Sequence, residues 1–312
     1  MTTPFHQLAA ALTQGAAVLA TVTAVRGSVP REVGAKMIID ATGRTYNTIG
    51  GGAGEAKVIQ QALEVLQTGN KQLVDIDLSG APNREIQGVC GGWMQVWVER
   101  WSGREAQTLV QRILTHLETG QSATLVTPFA ANETPYLLPA NAPLPQGEVF
   151  VEQLQSPPTL LIVGAGHVGE QLAKLAHTIG FQILVHDDRP DWATPDRFPQ
   201  ATRIFHQPIP DLLPHLATYT PLYIALVTRG YQYDQEALHC LLQSSLSWHY
   251  LGMIGSEKRV RTVYHELQHA GISLKTLQAI HAPIGLEIGA LTPEEIAVSI
   301  CAELIQVRRC GA

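Results

Sequence analysis

The sequence predicts an α/β protein whose second half forms a doubly wound parallel sheet, preceded by a smaller α+β domain. An apolar, β-branched run over 159–163 leads directly into the glycine pattern G-x-G-x-x-G. Further apolar runs then alternate with helical patterns, and this alternation is typical of parallel strands joined by crossover helices. The first half mixes strand patterns, helical stripes and glycine-rich loops without this alternation. Together these observations predict a Rossmann-like C-terminal domain.

The elements of the first half follow from their periodicity and their turn residues. Helical stripes predict helices over 4–14, 55–69 and 105–117, and strand patterns occur at 18–25, 37–40, 72–78, 94–98 and 123–126. The stretch 128–158 is rich in proline and predicts mainly an interdomain connector, with a short strand over 148–151. We therefore place one domain at 1–155, including this connector, and a second at 156–312.

The glycine turn has the strand, turn, helix and strand context that a dinucleotide fingerprint requires. We expect Gly164 to permit the tight turn, Gly166 to let the backbone approach a pyrophosphate, and Gly169 to let helix and strand pack closely. His167 lies beside this turn, where a helix N-terminus offers N–H groups to a phosphate. Asp187 or the next residue would accept hydrogen bonds from a ribose diol. The alternative is a domain whose crevice is empty or repurposed, since a fold does not fix a function.

The rest of the second domain supplies strands, ligand-facing loops and a capped final helix. The loops at 228–234 and 255–261 should lie at the carboxyl ends of strands, where doubly wound sheets bind ligands. We expect Asp234 to cap the helix that follows the first of these loops. Thr292, Pro293 and Glu295 predict a capping box at the start of the last helix. The remaining strands are expected at 182–186, 203–205, 222–227 and 249–254.

A triple glycine in the first domain is a candidate anion site. Gly50, Gly51 and Gly52 precede a helix, where successive N–H groups can turn inward to form an anion nest. Arg31 lies nearby in sequence, with Arg26 and Lys36, and would add positive charge. The alternative is an ordinary glycine-rich turn beside solvated cations.

Cys90 is the candidate reactive thiol. It lies in the run G-V-C-G-G, and neighbouring glycines leave the sulfur open to approach and to backbone N–H groups that favour a thiolate. Such a thiolate could bind a metal or carry a persulfide sulfur. The alternative is a small buried cysteine at the start of a strand. Cys240 and Cys301 lie on the apolar stripes of helices and are expected to pack in the core.

Several classes of protein are disfavoured. The net charge of −6 argues against a nucleic-acid partner, and no apolar run reaches the length of a membrane span. The cysteines form no C-x-x-C pair, which favours a reducing cytoplasm. No P-loop or G-x-S-x-G elbow is present, and neither His167 nor His281 has an evident carboxylate partner.

The order of these motifs resembles that of one family. R-G-S-V-P-R at 26–31, T-I-G-G-G at 48–52 and V-C-G-G at 89–92 carry the resemblance in the first domain. In the second domain it is carried by G-A-G-H-V-G at 164–169, G-M-I-G-S at 252–256 and H-A-P-I-G-L-E-I-G at 281–289, followed by T-P-E-E-I-A at 292–297. The chain is similar to the XdhC/CoxI family, the xanthine dehydrogenase accessory proteins that mature molybdenum hydroxylases. Gly54 and the pair Trp93-Met94 depart from what the family leads us to expect.

The resemblance implies a chaperone that binds the molybdenum cofactor, a pterin with a dithiolene and a phosphate. It would support sulfuration of the cofactor by a cysteine desulfurase partner and deliver it to the apo-enzyme of a molybdenum hydroxylase. Cys90 would hold the metal or its sulfur, and the loop Gly50 to Gly52 with Arg31 would hold the phosphate. The second set of cofactor-binding candidates is Gly164, Gly166, His167, Gly169 and Asp187.

The alternative function is an NAD(P)-dependent oxidoreductase that uses the Rossmann crevice. The lack of an evident acid–base pair favours a non-catalytic maturation factor, so we predict no catalytic residues. A homodimer is a further expectation, because Rossmann-bearing chains often pair.

Overall fold

The computed structural model describes residues 3–78 and 91–311, which form two compact units. The N-terminal unit is Thr2–Gln155, and the C-terminal unit begins at Ser156. The N-terminal unit contains, in chain order, α1 (Pro4–Gln14), β1 (Ala17–Arg26), β2 (Lys36–Ile39), β3 (Thr45–Tyr46), α2 (Gly52–Thr68), β4 (Gln72–Asp77), β5 (Trp93–Trp101), α3 (Gly103–Glu118), β6 (Ala123–Pro128), β7 (Tyr136–Leu137) and β8 (Val149–Leu154).

A five-stranded antiparallel sheet in the order β3-β2-β1-β5-β4 forms the centre of this unit. Alternate residues of β1 pack into two hydrophobic cores, one on each face of the sheet. Leu19 packs with α1 and α3 residues on one face, and Val18 packs with α2 residues on the other. Both faces of the sheet are therefore covered, which explains why β1 is an unbroken apolar run rather than an alternating one.

The segment expected to be mainly a connector lies largely in the N-terminal unit and contributes two strands to it. β7 and β8 pair antiparallel with β6, on opposite sides of it, in a three-stranded sheet. The short strand predicted at 148–151 is present and runs on to Leu154, which is buried. Pro128 is the last residue of β6, and the later prolines lie between strands rather than inside them. Their number suggested an unstructured segment, although prolines at strand ends leave the pairing intact.

The C-terminal unit confirms the predicted Rossmann-like fold. Its five-stranded sheet has the order β11-β10-β9-β12-β13, and every pair in it is parallel. The order reverses between β9 and β12, which is the switch point where such sheets form a ligand crevice. The elements are β9 (Thr159–Val163), α4 (His167–Thr178), β10 (Gln182–His186), β11 (Ala201–Phe205), α5 (Ile209–Leu216), β12 (Leu222–Leu226), α6 (Tyr231–Gln243), β13 (Tyr250–Met253), α7 (Glu257–His269), α8 (Leu274–Gln278) and α9 (Pro293–Cys310).

The final helix has the predicted capping box, in which Thr292 and Glu295 each bond the other's backbone N–H. α9 packs beside α4, and Ile300 and Leu304 are fully buried there. Beyond β13, the backbone of His281 forms a parallel bridge with Gly252. In the described parts of the chain, no helix is long and apolar enough to cross a membrane.

Candidate functional site

The turn between β9 and α4 is shaped by its glycines. Gly164 has a φ of +116°, and a Cβ there would lie 2.5 Å from the carbonyl oxygen of Val227. A Cβ on Gly169 would overlap the carbonyl oxygen of Gly164, so helix and strand approach too closely for a side chain. Gly166 is the N-cap residue of α4, and a Cβ there would meet nothing within 4 Å. Two of the glycines therefore serve internal packing, whereas the space beside Gly166 is open to a ligand.

Asp187, the residue expected to contact a ribose, is already fully hydrogen-bonded. Its Oδ2 accepts from the Ala165 N–H at 2.7 Å and from Arg189 Nη2 at 2.9 Å. Its Oδ1 accepts from the backbone N–H and the Nε of Arg189, at 3.0 and 2.8 Å. These four bonds fill the roughly four lone-pair positions of a carboxylate. Burial acts to raise the pKa of Asp187, but the bonds from Arg189 and Ala165 outweigh it and hold the pKa well below its usual value.

A second ion pair spans the switch point. Asp188, after β10, accepts two hydrogen bonds from Arg229, after β12, at 2.7 and 2.9 Å. The Arg229 guanidinium also lies over the ring of Tyr233, 3.7 Å from its centre. The hydrogen bonds from Arg229 lower the pKa of Asp188 despite some burial. Because β10 and β12 flank β9, this pair lies at the carboxyl end of the central strand.

The loop at 228–234 is held in place by hydrogen bonds to a buried carboxylate, so it does not offer an open phosphate site. Asp234 is fully buried, accepts from the Thr228 hydroxyl at 2.6 Å and is paired with Arg259. Gly230, and not Asp234, is the N-cap of α6, so the predicted cap is wrong. Arg259, a cation of the 255–261 loop, has its charge compensated by Asp234.

His167 is the first residue of α4 and lies in an aromatic and cationic neighbourhood. Its ring meets the edge of Trp192 with a centroid distance of 6.3 Å. Trp192 also lies 4.3 Å from the Arg189 guanidinium and 5.0 Å from that of Arg197. Arg197 donates to the Ala165 carbonyl at 3.0 Å, which holds the glycine turn from outside. The sequence analysis did not identify Arg197, because it lies 32 residues after Ala165, whose carbonyl it contacts.

In the N-terminal unit, the motif loops lie against one another. A Cβ on Gly92 would overlap the carbonyl oxygens of Arg26 and Ser28. A Cβ on Gly50 would overlap the ring of Pro30. The loops at 26–31, 48–52 and 91–92 therefore meet, although they are separated in sequence. Each close contact is possible because a glycine, which has no side chain, lies there.

The triple-glycine loop already holds an anion, which is the carboxylate of Glu55. Its Oε2 accepts from the Thr48 hydroxyl at 2.5 Å, from the Ile49 N–H at 3.0 Å and from the Gly51 N–H at 3.1 Å. Burial acts to raise the pKa of Glu55, but these bonds outweigh it and hold the pKa below its usual value. Gly51 and Gly52 still have open space where a Cβ would be.

The three cations near this loop have different surroundings. Arg31 is exposed and lines a groove of about 670 Å³. Lys36 lines the same groove but is buried, with its Nζ 2.6 Å from Glu152, so its charge is compensated. Arg26 lies over the Trp93 ring at 5.3 Å. Arg26 and Arg31 are both exposed, and Arg31 lines the groove.

Cys90 lies outside the described residues, so its role as metal ligand or sulfur carrier stays a prediction. The residues that follow it are described: the Gly91 N–H donates to the Leu78 carbonyl at 2.9 Å, where the β4–β5 pairing continues. Within 3–78 and 91–311, no group of three or more His, Cys, Asp or Glu residues could hold a metal ion. Cys301 is buried as expected, whereas Cys240 is only half-buried.

His281 does have a carboxylate partner, which corrects the interpretation of it as a lone histidine. Its Nδ1 lies 3.2 Å from Oε1 of Glu303, a residue of α9. Glu303 also accepts from the Tyr250 hydroxyl and from the Gly285 N–H. Burial acts to raise the pKa of Glu303, but these bonds outweigh it and lower the pKa. The network ties the 281–289 motif to α9, and no local sequence signal could have found a pair 22 residues apart.

The fold and the glycine turn define an α/β protein with a Rossmann-type unit and a second, antiparallel unit rich in motif loops. A model of the XdhC and CoxI family matches residues 11–77, and a model of the XdhC Rossmann domain matches residues 160–304. The chain belongs to the XdhC and CoxI family, which confirms the resemblance.

Three similar proteins support this assignment. The chain is 28% identical to a probable xanthine dehydrogenase subunit of Bacillus subtilis (strain 168), over 98% of both chains. It is 24% identical to the molybdenum cofactor insertion chaperone PaoD of Escherichia coli (strain K12), over 94% of this chain and 83% of PaoD. A crystal structure of a xanthine dehydrogenase (BH1974) from Bacillus halodurans superposes with a TM-score of 0.83 at 27% identity, covering 99% of this chain and 97% of that one.

Proposed function

We propose that this chain is a maturation factor that binds the molybdenum cofactor and delivers it to an apo-enzyme of the xanthine dehydrogenase type. Family membership across both units carries the proposal. The name of PaoD, a molybdenum cofactor insertion chaperone, supplies the cargo, and xanthine dehydrogenase appears in the names of the other two relatives. The cofactor is cargo here, and the chain itself carries out no redox step.

The finer proposal concerns sulfur. The chain presents the cofactor for sulfuration by a cysteine desulfurase, and Cys90 holds the metal or the incoming sulfur. A thiolate is a soft ligand suited to a metal with sulfur ligands. Support comes from the loops beside Cys90: Gly91 and Gly92, which follow it directly, lie against the 26–28 loop.

The phosphate of the cofactor has two candidate sites. In the N-terminal unit, Gly51 and Gly52 have open space, and Arg26 and Arg31 are exposed cations of the neighbouring motif. In the C-terminal unit, Gly166 and His167 begin α4, where N–H groups and the helix dipole favour an anion.

Expression in hosts able and unable to make the molybdenum cofactor tests the proposal. Pterin and molybdenum are measured per chain after gel filtration under anaerobic, reducing conditions. We expect near-stoichiometric pterin only from the competent host. Purified chain from that host should then activate a molybdenum-free apo-hydroxylase. Absence of pterin from both preparations would contradict cofactor carriage.

The role of Cys90 is tested with a matched pair of variants. Cys90→Ala should lose bound molybdenum, whereas Cys310→Ala, which changes an exposed cysteine of α9, should keep it. A desulfurase with radiolabelled cysteine adds a second readout, because label should reach wild type and not Cys90→Ala. Equal molybdenum and equal label in both variants would remove Cys90 from the proposal.

An NAD(P)-dependent oxidoreductase remains the alternative function. Of the two acids expected to meet a ribose diol, Asp187 has four hydrogen bonds to Arg189 and Ala165, and Asp188 accepts two from Arg229. A diol would have to compete with these bonds at either acid, which disfavours the alternative. Tight NADH binding together with carbonyl reduction by the purified chain would reverse this preference.

A further inference from the structure

Two histidines share one side of α7 near its end. His265 and His269 are four residues apart, so their side chains are neighbours on the helix surface. With Glu266 they form the pattern H-E-x-x-H, in which two imidazoles on one helix face can bind one metal ion. Both histidines are exposed, whereas Leu267 between them is buried in the core. The packing of α7 therefore leaves this pair accessible to an ion from solvent.

The separation of the two imidazoles fits one shared ion. The Nε2 atoms of His265 and His269 lie 3.1 Å apart. Two nitrogens at this separation, each about 2.0–2.1 Å from a Zn²⁺ ion, subtend about 100° at the metal, close to the ~109° of a tetrahedral site. The nitrogens therefore need little adjustment of their separation to bind the same ion.

A hydrogen bond between the two rings is a poor explanation of this contact. Rings joined in line through N–H···N have centres farther apart than their nitrogens by one ring radius at each end. For five-membered rings with bonds of about 1.33 Å, this adds about 2.2 Å. The ring centres of His265 and His269 are 4.4 Å apart, only 1.3 Å more than the 3.1 Å between their nitrogens. The rings are therefore not in line, and a hydrogen bond between them is bent and weak.

A carboxylate sets the tautomer of one imidazole. Oε1 of Glu266 lies 3.3 Å from Nδ1 of His265, and a carboxylate oxygen accepts, so this Nδ1 carries a proton. In the neutral ring, the Nε2 of His265 then presents a lone pair to a metal. Histidines that bind metals usually donate their other ring N–H to a carboxylate or carbonyl, which fixes the orientation of the ring. Glu266 has this positioning role here.

The place of the pair on the helix also favours a cation. α7 ends at His269, and the carbonyl groups of a last helical turn carry partial negative charge. Arg261, one turn before His265, is the neighbouring cation on this helix. It lies 3.9 Å from Glu257, and this ion pair reduces its repulsion of a metal ion.

We propose that His265 and His269 bind one divalent transition-metal cation, such as Zn²⁺, through their Nε2 atoms. Imidazole suits Zn²⁺, Cu²⁺ and Ni²⁺, whereas Mg²⁺ and Ca²⁺ prefer oxygen ligands. When the ion is bound, His269 carries its proton on Nδ1, and water fills the remaining coordination positions. In metalloproteases with this motif the glutamate is a general base, whereas Glu266 contacts His265, so the site binds the ion without a hydrolytic role. The proposal does not depend on the maturation function, because it requires no pterin.

Zn²⁺ titration of the metal-stripped full chain tests the proposal by isothermal titration calorimetry. His265→Ala and His269→Ala should each bind Zn²⁺ at least about tenfold more weakly than wild type, because the second imidazole acts at high effective concentration. His215→Ala is the matched control, since it removes an exposed histidine from the last turn of α5 and should leave the affinity unchanged. Zn²⁺ bound by thiols is common to all four proteins.

Equal Zn²⁺ affinity in wild type and in both α7 variants would overturn the proposal, as would absence of Zn²⁺ binding to wild type. The donor atoms are identified by electron paramagnetic resonance with one equivalent of Cu²⁺. We expect coupling to two imidazole nitrogens in wild type and to one in either α7 variant. A Cu²⁺ spectrum unchanged by both substitutions would also overturn the site. Pterin carriage in the maturation assay does not enter either result.

The positioning role of Glu266 has its own test. Glu266→Gln keeps both imidazoles and should weaken Zn²⁺ binding about tenfold, as loss of a carboxylate partner of a metal-binding histidine usually does. Glu64→Gln, at an exposed position of α2, removes the same charge and should stay within about twofold of wild type. Because all substituted positions are exposed, each variant should fold, which circular dichroism checks. Equal weakening in Glu266→Gln and Glu64→Gln would overturn the positioning role.

Discussion

The glycine loops at Gly51 and Gly164 share one feature. In each, backbone N–H groups donate hydrogen bonds to a carboxylate of the chain itself. At the Gly51 loop the anion is Glu55, which accepts from N–H groups and a hydroxyl. At the Gly164 turn it is Asp187, which accepts from one turn N–H and also pairs with Arg189. The Asp187 charge is therefore compensated by a cation, whereas that of Glu55 is held by neutral donors.

This difference indicates which loop is better prepared for an added phosphate. A phosphate beside Glu55 would meet a like charge at short range, and in 3–78 and 91–311 no cation is paired with that charge. A phosphate beside the Gly164 turn would meet a neutral pair and the open helix N-terminus at Gly166. A glycine-rich loop in a sequence predicts N–H groups that can bind an anion, and it does not predict that the anion comes from outside.

The largest effect should come from Asp187→Asn. The change leaves the Arg189 guanidinium without its buried counter-charge, and we expect a loss of about 3–5 kcal/mol in the free energy of unfolding. Urea denaturation at neutral pH measures it. Asp188→Asn is the control: the Asp188 side chain is 53% exposed and its partner Arg229 33%, so its loss should stay under about 1 kcal/mol. Equal losses would mean that Asp187 is no more structural than its neighbour.

Gly169→Ala should come next, with Gly166→Ala as its matched partner in the same turn. The new methyl of Gly169→Ala would overlap the Gly164 carbonyl, and overpacking of this kind costs about 1–3 kcal/mol. Gly166→Ala enters open space, so it should change thermal stability by less than about 0.5 kcal/mol while it weakens anion binding at the turn. An equal loss of stability in Gly169→Ala and Gly166→Ala would contradict this prediction.

Glu55→Gln should cost about 1–2 kcal/mol, because charge-assisted hydrogen bonds to Thr48, Ile49 and Gly51 become neutral ones. The same change removes the like charge from the loop, so sulfate should protect the variant against unfolding more than it protects wild type. Thermal unfolding across a sulfate series, with chloride at equal ionic strength, measures both effects. Unchanged sulfate protection would show that Glu55 does not keep anions from this loop.

The smallest predicted effect is the change in the free energy of unfolding with pH. The pKa values of Glu55 and Asp187 are lower in the folded chain than usual. Their stabilisation is therefore complete above the unfolded pKa near 4 and is lost as pH falls toward the folded pKa. The stability difference between wild type and Asp187→Asn should hold from pH 7 to pH 5 and shrink by about 1 kcal/mol by pH 3. Urea denaturation at each pH checks this, and a difference that grows on acidification would reverse the sign of the argument.

The fold was largely predictable because its signals are local. The apolar run before Gly164, the helical stripe after it and the capping box at Thr292 each lie within a few residues. The strand β8 was only partly predicted, since its pairing with β6 is a tertiary event and the prolines around it suggested a connector. Prolines mark where strands end, and they do not exclude strands between them.

The candidate site was less predictable, because its chemistry depends on which partners the fold brings together. The sequence placed acids near the ribose position, but not the Arg189 contacts that occupy Asp187. An arginine two residues after an aspartate is a weak signal that could have suggested the pair. The contact of His281 with Glu303 has no counterpart in any local sequence pattern.

The bridge from Gly252 to His281 also bears on how copies of this chain could associate. An outermost strand presents unpaired N–H and C=O groups that can recruit a strand of another molecule. Beyond β13 this row is capped, since the Met253 N–H donates to the His281 carbonyl and the His281 N–H donates to Leu251. The opposite margin, β11, carries the exposed charge of Arg203, which discourages such recruitment. If copies of the chain associate through the C-terminal unit, its helices are better placed than the margins of its sheet to make the contact.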